Sequence, residues 1–387
     1  MVDLRGSNTA ESKLQENLLK EMSGIGFNIK AFDKIKLDKL RREVIEAMPR
    51  LKELYNDHTK INEAHVDVVN LNYEKKIPKK VMVTSFFRRG DGHIERFQRI
   101  FEKEGWHYQW CAPHKLHEIN QKESQYKTIA MVDIDHDYFV NGNLLAHLDK
   151  LKNNFDFVIG FAFDGWSRKS NVHNDAVRSC LNLVWCPNIY HELWSNGLSV
   201  DNITPFPVPL GIEPKDQEAL FTSHNRRNNN IKFSGNIERQ SFPRLIWLIE
   251  KSQKSDVEFD LSNYKERSKY NKYDSYLAYL KRLAQSKAVI NFSTRNDMSR
   301  GYTGRPAETI AVKQLLFQEF CPSLNLLYQP GVHFLQFHTM RDFDDIVLKI
   351  RSNEDLVREI SENAYGFFQQ RYSDRRMLEH LTAMLGL

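Results

Sequence analysis

Cysteine is scarce. The 387 residues hold four, Cys111, Cys180, Cys186 and Cys321, with neither CxxC spacing nor the even framework of a disulfide-stapled scaffold. They read as ordinary buried thiols of a reducing compartment. Long apolar runs are missing too: none approaches the roughly 20 residues needed to cross a bilayer. The opening stretch, MVDLRGSNTAESKLQ, lacks the basic-then-apolar pattern of a secretion signal, so the expected location is the cytoplasm. No basic tract with interleaved aromatics is present, which argues against nucleic acid as a partner. No repeat of fixed solenoid period is visible.

What is present suits a folded enzyme-sized chain. Hydrophobic residues make up 41% and aromatics 12%, enough for packed cores, while 27% charged residues point to a soluble protein. The length suggests two domains or two with an appendage. A net charge of +5 is mild. It favours anionic ligands such as nucleotide diphosphates, or an acidic membrane surface met peripherally.

Three regions follow. Residues 1–76 carry Leu, Ile and Met at helical spacing in ESKLQENLLKEM and LDKLRREVIEAMPRLKELYND. They read as a helical extension, either packed on the main fold or serving as a docking arm that would make a homodimer. Residues 77–221 alternate short apolar strands with helices: VMVTSFF, then an amphipathic helix, then YKTIAMVDIDHDYF, NLLAHLDKLKNN, FDFVIGFAFDGW and LNLVWCPN. After the polar TSHNRRNNN linker, residues 222–370 repeat the alternation with IKFSGNIERQ, SFPRLIWLIEKSQ, DVEFDL, YLAYLKRLAQSK and AVINFS. The loop TGRPAETIA, a helix and NLLYQPG come next. Residues 371–387, ending an amphipathic QQRYSDRRMLEHLTAML, are expected to form a last helix that crosses back to the first domain. The pattern predicts an α/β chain with two parallel-sheet domains and a ligand site in the cleft between them.

The blocks IKFSGNIERQSFPRLIWLIE, YLKRLAQSKAVINFST, GRPAETIAVKQLLFQE and NLLYQPGVHFLQFHTMRDFDDIVLKIRSNEDLVREISENAYGFFQQRYSDRRM fall in one order. That order resembles the C-terminal domain of GT-B glycosyltransferases of the broad group 1 superfamily, closest to the spore-maturation type. The resemblance covers most of Ile231 to Met377. It implies two Rossmann-like domains facing a cleft, with a nucleotide-sugar donor as co-substrate, no other cofactor and no metal. The acceptor it implies is a carbohydrate or lipid-linked hydroxyl.

Residue by residue, the resemblance assigns the ribose hydroxyls to Glu308, a carboxylate able to accept two hydroxyl donors at once. Gly304 and Pro306 set the turn and start the helix, while Arg305 faces either donor phosphate or solvent. Gly235 permits close approach of the backbone to a ligand and Arg239 suits a diphosphate leaving group; Lys313 is a weaker phosphate candidate. Many retaining members carry a second acidic residue where this chain has Arg300, so their mechanism does not carry over. On the acceptor side, Asp133, Asp135, His136 and Asp137 crowd one strand end. Asp135, Asp164 of the FDGW segment and His93 after the RRGDGH loop are the candidate bases. Two alternatives stand beside this reading: an inactive GT-B scaffold, and a metal-dependent GT-A transferase using Asp133 and Asp135.

Overall fold

The computed structural model describes residues 79–84, 93–112, 115, 127–135, 144–163, 170–188, 202–204, 206–221, 228, 230–235, 257–261, 272–293, 301, 304–325 and 327–387. The expected helical extension, with the dimer or docking role it suggested, lies outside them. So does most of the polar linker.

The first sheet contains β1 (Lys79–Thr84), β2 (His107–Cys111), β3 (Lys127–Asp133), β4 (Phe157–Phe161), β5 (Leu183–Trp185) and β6 (Ile203–Thr204). They lie in the order β2-β1-β3-β4-β5-β6 with every neighbour parallel. Helices α1 (His93–Lys103), α2 (Leu144–Asn154) and α3 (Asp175–Ser179) belong to this half, and α4 (Pro214–Leu220) follows it. The second sheet contains β7 (Ile231–Gly235), β8 (Val257–Leu261), β9 (Ala288–Asn291), β10 (Leu315–Glu319) and β11 (Leu335–Phe337), ordered β11-β10-β9-β7-β8 and again parallel throughout. Its helices are α5 (Lys272–Ala284), α6 (Arg305–Ala311), α7 (Pro322–Asn325), α8 (Met340–Ser352) and α9 (Glu354–Arg371), and α10 (Asp374–Met384) ends the chain. This two-sheet α/β architecture is the GT-B fold.

The strands are apolar on both faces because both faces are covered. In the first sheet the register aligns Val83, Met131, Ile159 and Leu183 on one face, where they join Ile94, Phe97 and Phe101 of α1 in one core. The alternate residues Met82, Ala130 and Val158 face the other way and meet Leu144, Leu148 and Leu151 of α2. Phe97 is the anchor of α1, with its ring edge-on to Trp185 at 5.1 Å and to Phe161 at 5.5 Å. Both sheets wind alike: the second strand lies outside the first, and the chain then reverses to add the third, fourth and fifth on the other side. Such sheets bind ligands beyond the carboxyl ends of their strands, at the reversal. Here that means the ends of β1 and β3 in one sheet, and of β7 and β9 in the other.

The structure departs from the sequence reading in three places. HYQWC forms the strand β2, whose alternating exposure marks a sheet edge and whose residues lack the apolar run of the inner strands. The helix expected after the TGRPAETIA loop lies inside that loop, at Arg305–Ala311, and the apolar run behind it is β10. An apolar run of this length is compatible with either state; here it is a strand buried at every position. Finally, QQRYSDRRMLEHLTAML is two helices. α9 ends at Arg371, and Ser373 starts α10 by accepting a hydrogen bond from the Arg376 N–H.

The chain passes between the domains at Phe206–Glu213, and α4 then packs on α5, where Tyr273 donates to Asp216 at 2.9 Å and accepts from the Glu213 N–H. The Trp185 indole donates to Phe206 O at 2.8 Å, fixing the start of the crossing to the first sheet. Helix α10 returns over it. Asp374 accepts from the N–H groups of Leu210 and Gly211 at 3.1 and 3.0 Å, His380 meets Thr204 at 2.8 Å and its ring lies beside Phe206. Gly211 has a positive φ of 57°, and a Cβ there would fall 2.8 Å from the Arg96 Cα. Only glycine fits both demands.

Two outcomes are expected. Gly211→Ala lowers stability by at least about 1–3 kcal/mol, the usual cost of a left-handed non-glycine backbone, and more once α1 is displaced; urea denaturation measures it. Burial lowers the pKa of His380 below the ordinary 6.5, so the unfolded chain binds a proton that the folded chain does not. Its contribution to stability is therefore full above pH 6.5 and is lost as pH falls through the folded value. His380→Gln keeps a hydrogen bond to Thr204 and removes this dependence, so between pH 7.5 and 5 the variant loses less stability than wild type, read by urea denaturation at each pH.

Candidate functional site

At the reversal of the second sheet, α6 leads back from the end of β9. Its residues Ala307, Ile310 and Ala311 are buried in the core, which fixes the rotation of the helix and turns Glu308 toward the first domain. Glu308 is itself buried. Oε2 accepts from the Tyr279 hydroxyl of α5 at 3.1 Å, and Oε1 accepts from Nη2 of Arg96, on α1, at 3.0 Å. The two side chains of this ion pair are only 11% and 9% exposed. They lie 212 positions apart in sequence and belong to different domains.

Arg96 is held from several directions. Nη1 donates to Pro209 O at 3.3 Å in the crossing segment, and the guanidinium lies 4.2 Å from the ring centre of Tyr276. Burial opposes its charge, yet the neighbouring Tyr276 and Glu308 outweigh burial and raise its pKa above the ordinary value. It stays cationic at any working pH. One turn on, Arg99 donates to Gly211 O at 2.7 Å and lies over Tyr273 at 4.5 Å. Tyr273, Tyr276 and Tyr279 recur every three residues and so share one face of α5. Burial pushes the Tyr273 hydroxyl up to about 12 and Tyr279 higher still, so both remain protonated hydrogen-bond donors.

Arg305, at the start of α6, donates to Asn291 Oδ1 at 2.9 Å, and Asn291 donates in turn to Gln318 at 2.8 Å. The guanidinium sits 5.3 Å from the Phe233 ring and also bonds the Tyr279 hydroxyl. Arg305, Tyr279, Glu308 and Arg96 thus form one connected chain. Gly304 is beside it: a Cβ there would be 3.4 Å from Glu308 Oε1 and 3.8 Å from Arg96 Nη1. Gly235 ends β7, the neighbouring strand of the reversal. Lys313 lies elsewhere. It follows the far end of α6 with a φ of 59°, 3.7 Å from Glu362 and near the Tyr365 ring, both on α9. Arg239 and Arg300 fall outside the described residues.

On the first sheet, Asp133 ends β3 at the reversal and accepts from the Asp135 N–H at 3.3 Å. Asp135 has both oxygens engaged, one by the Ser170 hydroxyl at 2.6 Å and the other by the Asn171 N–H at 2.7 Å. It fastens the short 3-10 turn Asn171–His173 to the sheet end. His93 opens α1, whereas Asp164, His136 and Asp137 lie outside the described residues. Two sheets of this build leave no place for the metal-dependent GT-A alternative. Among the described residues no group of three or more His, Cys, Asp or Glu is arranged to hold a metal ion, and no helix is long and apolar enough to cross a membrane.

Sequence reasoning missed Arg96 and Tyr279. A usable signal existed in the three-residue spacing of Tyr273, Tyr276 and Tyr279 and of Arg96 and Arg99, but it does not say which helix faces which.

Comparisons with known proteins bear on family and fold. Residues 224–383 match the family model described as glycosyl transferase-like. No curated protein matches the chain in sequence. Among solved structures, HepE of Anabaena in complex with UDP superposes with a TM-score of 0.54 at 10% identity, covering 80% of this chain and 99% of that one. The same protein with UDP and glucose gives 0.52 at 10% identity over the same shares. With UDP-glucose it gives 0.51 at 11% identity, covering 80% and 100%.

Replacing Asp135 by Ala frees the Asn171 N–H and the Ser170 hydroxyl, and is expected to lower stability by about 1–3 kcal/mol, read by urea unfolding. Residues 224–383 are thus similar to the glycosyl transferase-like family, and the chain has the GT-B fold.

Proposed function

We propose that this protein is a glycosyltransferase that moves a sugar from a nucleotide-sugar donor, with UDP as its nucleotide, to a hydroxyl of a glycan or glycolipid acceptor. The observation that carries the reading is Glu308. It is a carboxylate at the reversal of the second sheet, where ligands of such sheets bind, inside the segment that matches the glycosyl transferase-like family. HepE, which shares the fold, holds UDP and UDP-glucose, and this supports uridine as the base.

In this reading the second domain holds the nucleotide. Glu308 accepts hydrogen bonds from the two ribose hydroxyls, using the lone pairs that Arg96 and Tyr279 do not occupy. Arg305, beside it, is the described cation placed to meet the diphosphate, and its charge stabilises the leaving group as the bond to the sugar breaks. Side-chain cations then do what a divalent metal does in other transferases, so transfer proceeds without one. The first domain presents the acceptor from the end of β3, and apposition of the domains keeps water from competing with the acceptor hydroxyl.

The test is calorimetric titration and thermal shift with UDP in the presence of EDTA. At 100 times its Kd, UDP is expected to stabilise the wild type by about 2.7 kcal/mol, a shift of several degrees. Glu308→Ala is expected to lose most of that shift while remaining folded by circular dichroism. Equal shifts in both proteins would remove Glu308 from the donor site. Absence of any UDP effect would overturn the donor assignment, and an effect that appears only when magnesium replaces EDTA would overturn the metal-free mechanism.

A further inference from the structure

The ion pair at the donor site joins two domains, and nothing in the transfer chemistry itself requires that. We propose that Arg96 is a positioning residue for the donor: from the first domain it orients the Glu308 carboxylate of the second, so that ribose recognition is complete only when the domains are apposed. The proposal rests on the reading of Glu308 as the ribose acceptor.

A carboxylate turns readily about its last torsion, and a free one presents its oxygens in any plane. Glu308 is fixed at both: Arg96 Nη2 holds Oε1 at 3.0 Å and the Tyr279 hydroxyl holds Oε2 at 3.1 Å. Each oxygen has two acceptor positions. Among the described residues one on each is taken, and one on each remains, which is the pattern that two neighbouring hydroxyls require. Arg96 can impose this orientation because its own is set by the Pro209 carbonyl and the Tyr276 ring. A lysine could supply the charge but not a planar fork seated on an aromatic face.

The consequence is a specificity that depends on a residue from the other domain. Removing Arg96 leaves Glu308 held at Oε2 alone by Tyr279, so the ribose hydroxyls lose a fixed pair of acceptors, while contacts to base and diphosphate persist. Discrimination between a ribonucleotide and one without the two hydroxyls reports on this alone. A site built to bond hydroxyls rejects an analogue that lacks them because the site's buried polar groups are left unpaired.

The experiment titrates UDP and 2′,3′-dideoxy-UDP into wild type, Arg96→Met and Arg96→Lys by calorimetry, with folding checked by circular dichroism. Wild type is expected to prefer UDP by about 10-fold or more, the worth of hydrogen bonds to a charged group. In R96M the UDP affinity is expected to fall about 10-fold while that for the dideoxy analogue changes less than about twofold, so the preference collapses. R96K is expected to lie between. Should R96M not fold, R96K carries the same comparison, since a merely structural arginine would weaken both ligands alike. A wild type with no preference would overturn the ribose reading of Glu308 itself. A wild-type preference that survives intact in the variants would overturn the role of Arg96 and leave Glu308 standing. Equal weakening of both ligands would make Arg96 structural, and tighter UDP binding in R96M would make it a competitor of the ribose; either result rejects the proposal.

Discussion

A buried ion pair between two domains makes demands on everything around it. Taking a guanidinium and a carboxylate out of water is costly, and their attraction offsets that cost only with good geometry and further hydrogen bonds. The surroundings of Arg96 and Glu308 meet those demands piece by piece. Tyr279 and Pro209 O supply the additional hydrogen bonds, and Tyr276 supplies an aromatic face. Gly211 lets the crossing segment lie against the backbone of α1, so that the Pro209 carbonyl is within reach. Asp374 then pins the same segment from above through two backbone N–H groups. Residues from five separate stretches thus converge because one pair needs all of them.

The shared winding of the two sheets explains why the convergence happens there. Each reverses after its first two strands, so each offers one crevice at its carboxyl ends. α1 follows β1 at one reversal and α6 follows β9 at the other. The core that unites Ile94, Phe97, Phe206, Tyr276, Ile310 and Tyr372 is continuous from one domain to the next, so the two helices meet as parts of one packed body.

Much of this was legible in the sequence, for a physical reason. Strands covered on both faces are apolar over most of their length, so VMVTSFF, YKTIAMVD and AVINFS identify themselves without any pattern finer than a run. The edge strand HYQWC is covered on fewer sides and reads as nothing in particular. LLFQE is apolar enough for a buried helix or a buried strand, and only the position of Arg305–Ala311 before it decides the matter. Glu308 stood out because a local motif surrounds it. Arg96 did not, since its role is set by a contact 212 residues away, and no local pattern encodes which surfaces of two domains will touch. The same limit applies to Asp135, whose place at a strand end suggested a base, while Ser170 and Asn171, which engage both its oxygens, are known only from the fold.

The energetics of the pair also bear on what holds the domains together. Deleting one partner strands a charge in the interior and costs about 3–5 kcal/mol, whereas separating the domains returns both ions to water. Solvation of the separated groups offsets most of the attraction given up, so the pair specifies the geometry of the apposed state far more than it favours that state. Asp374 behaves alike: burial raises its pKa despite the Leu210 and Gly211 N–H groups, so its carboxylate too is held there at a cost in hydration. The apolar contacts among Phe206, Tyr372 and Tyr328 have no such compensation, since opening them exposes apolar surface to water. Apposition is therefore driven by the aromatic packing of the crossing segment and given its register by the charges.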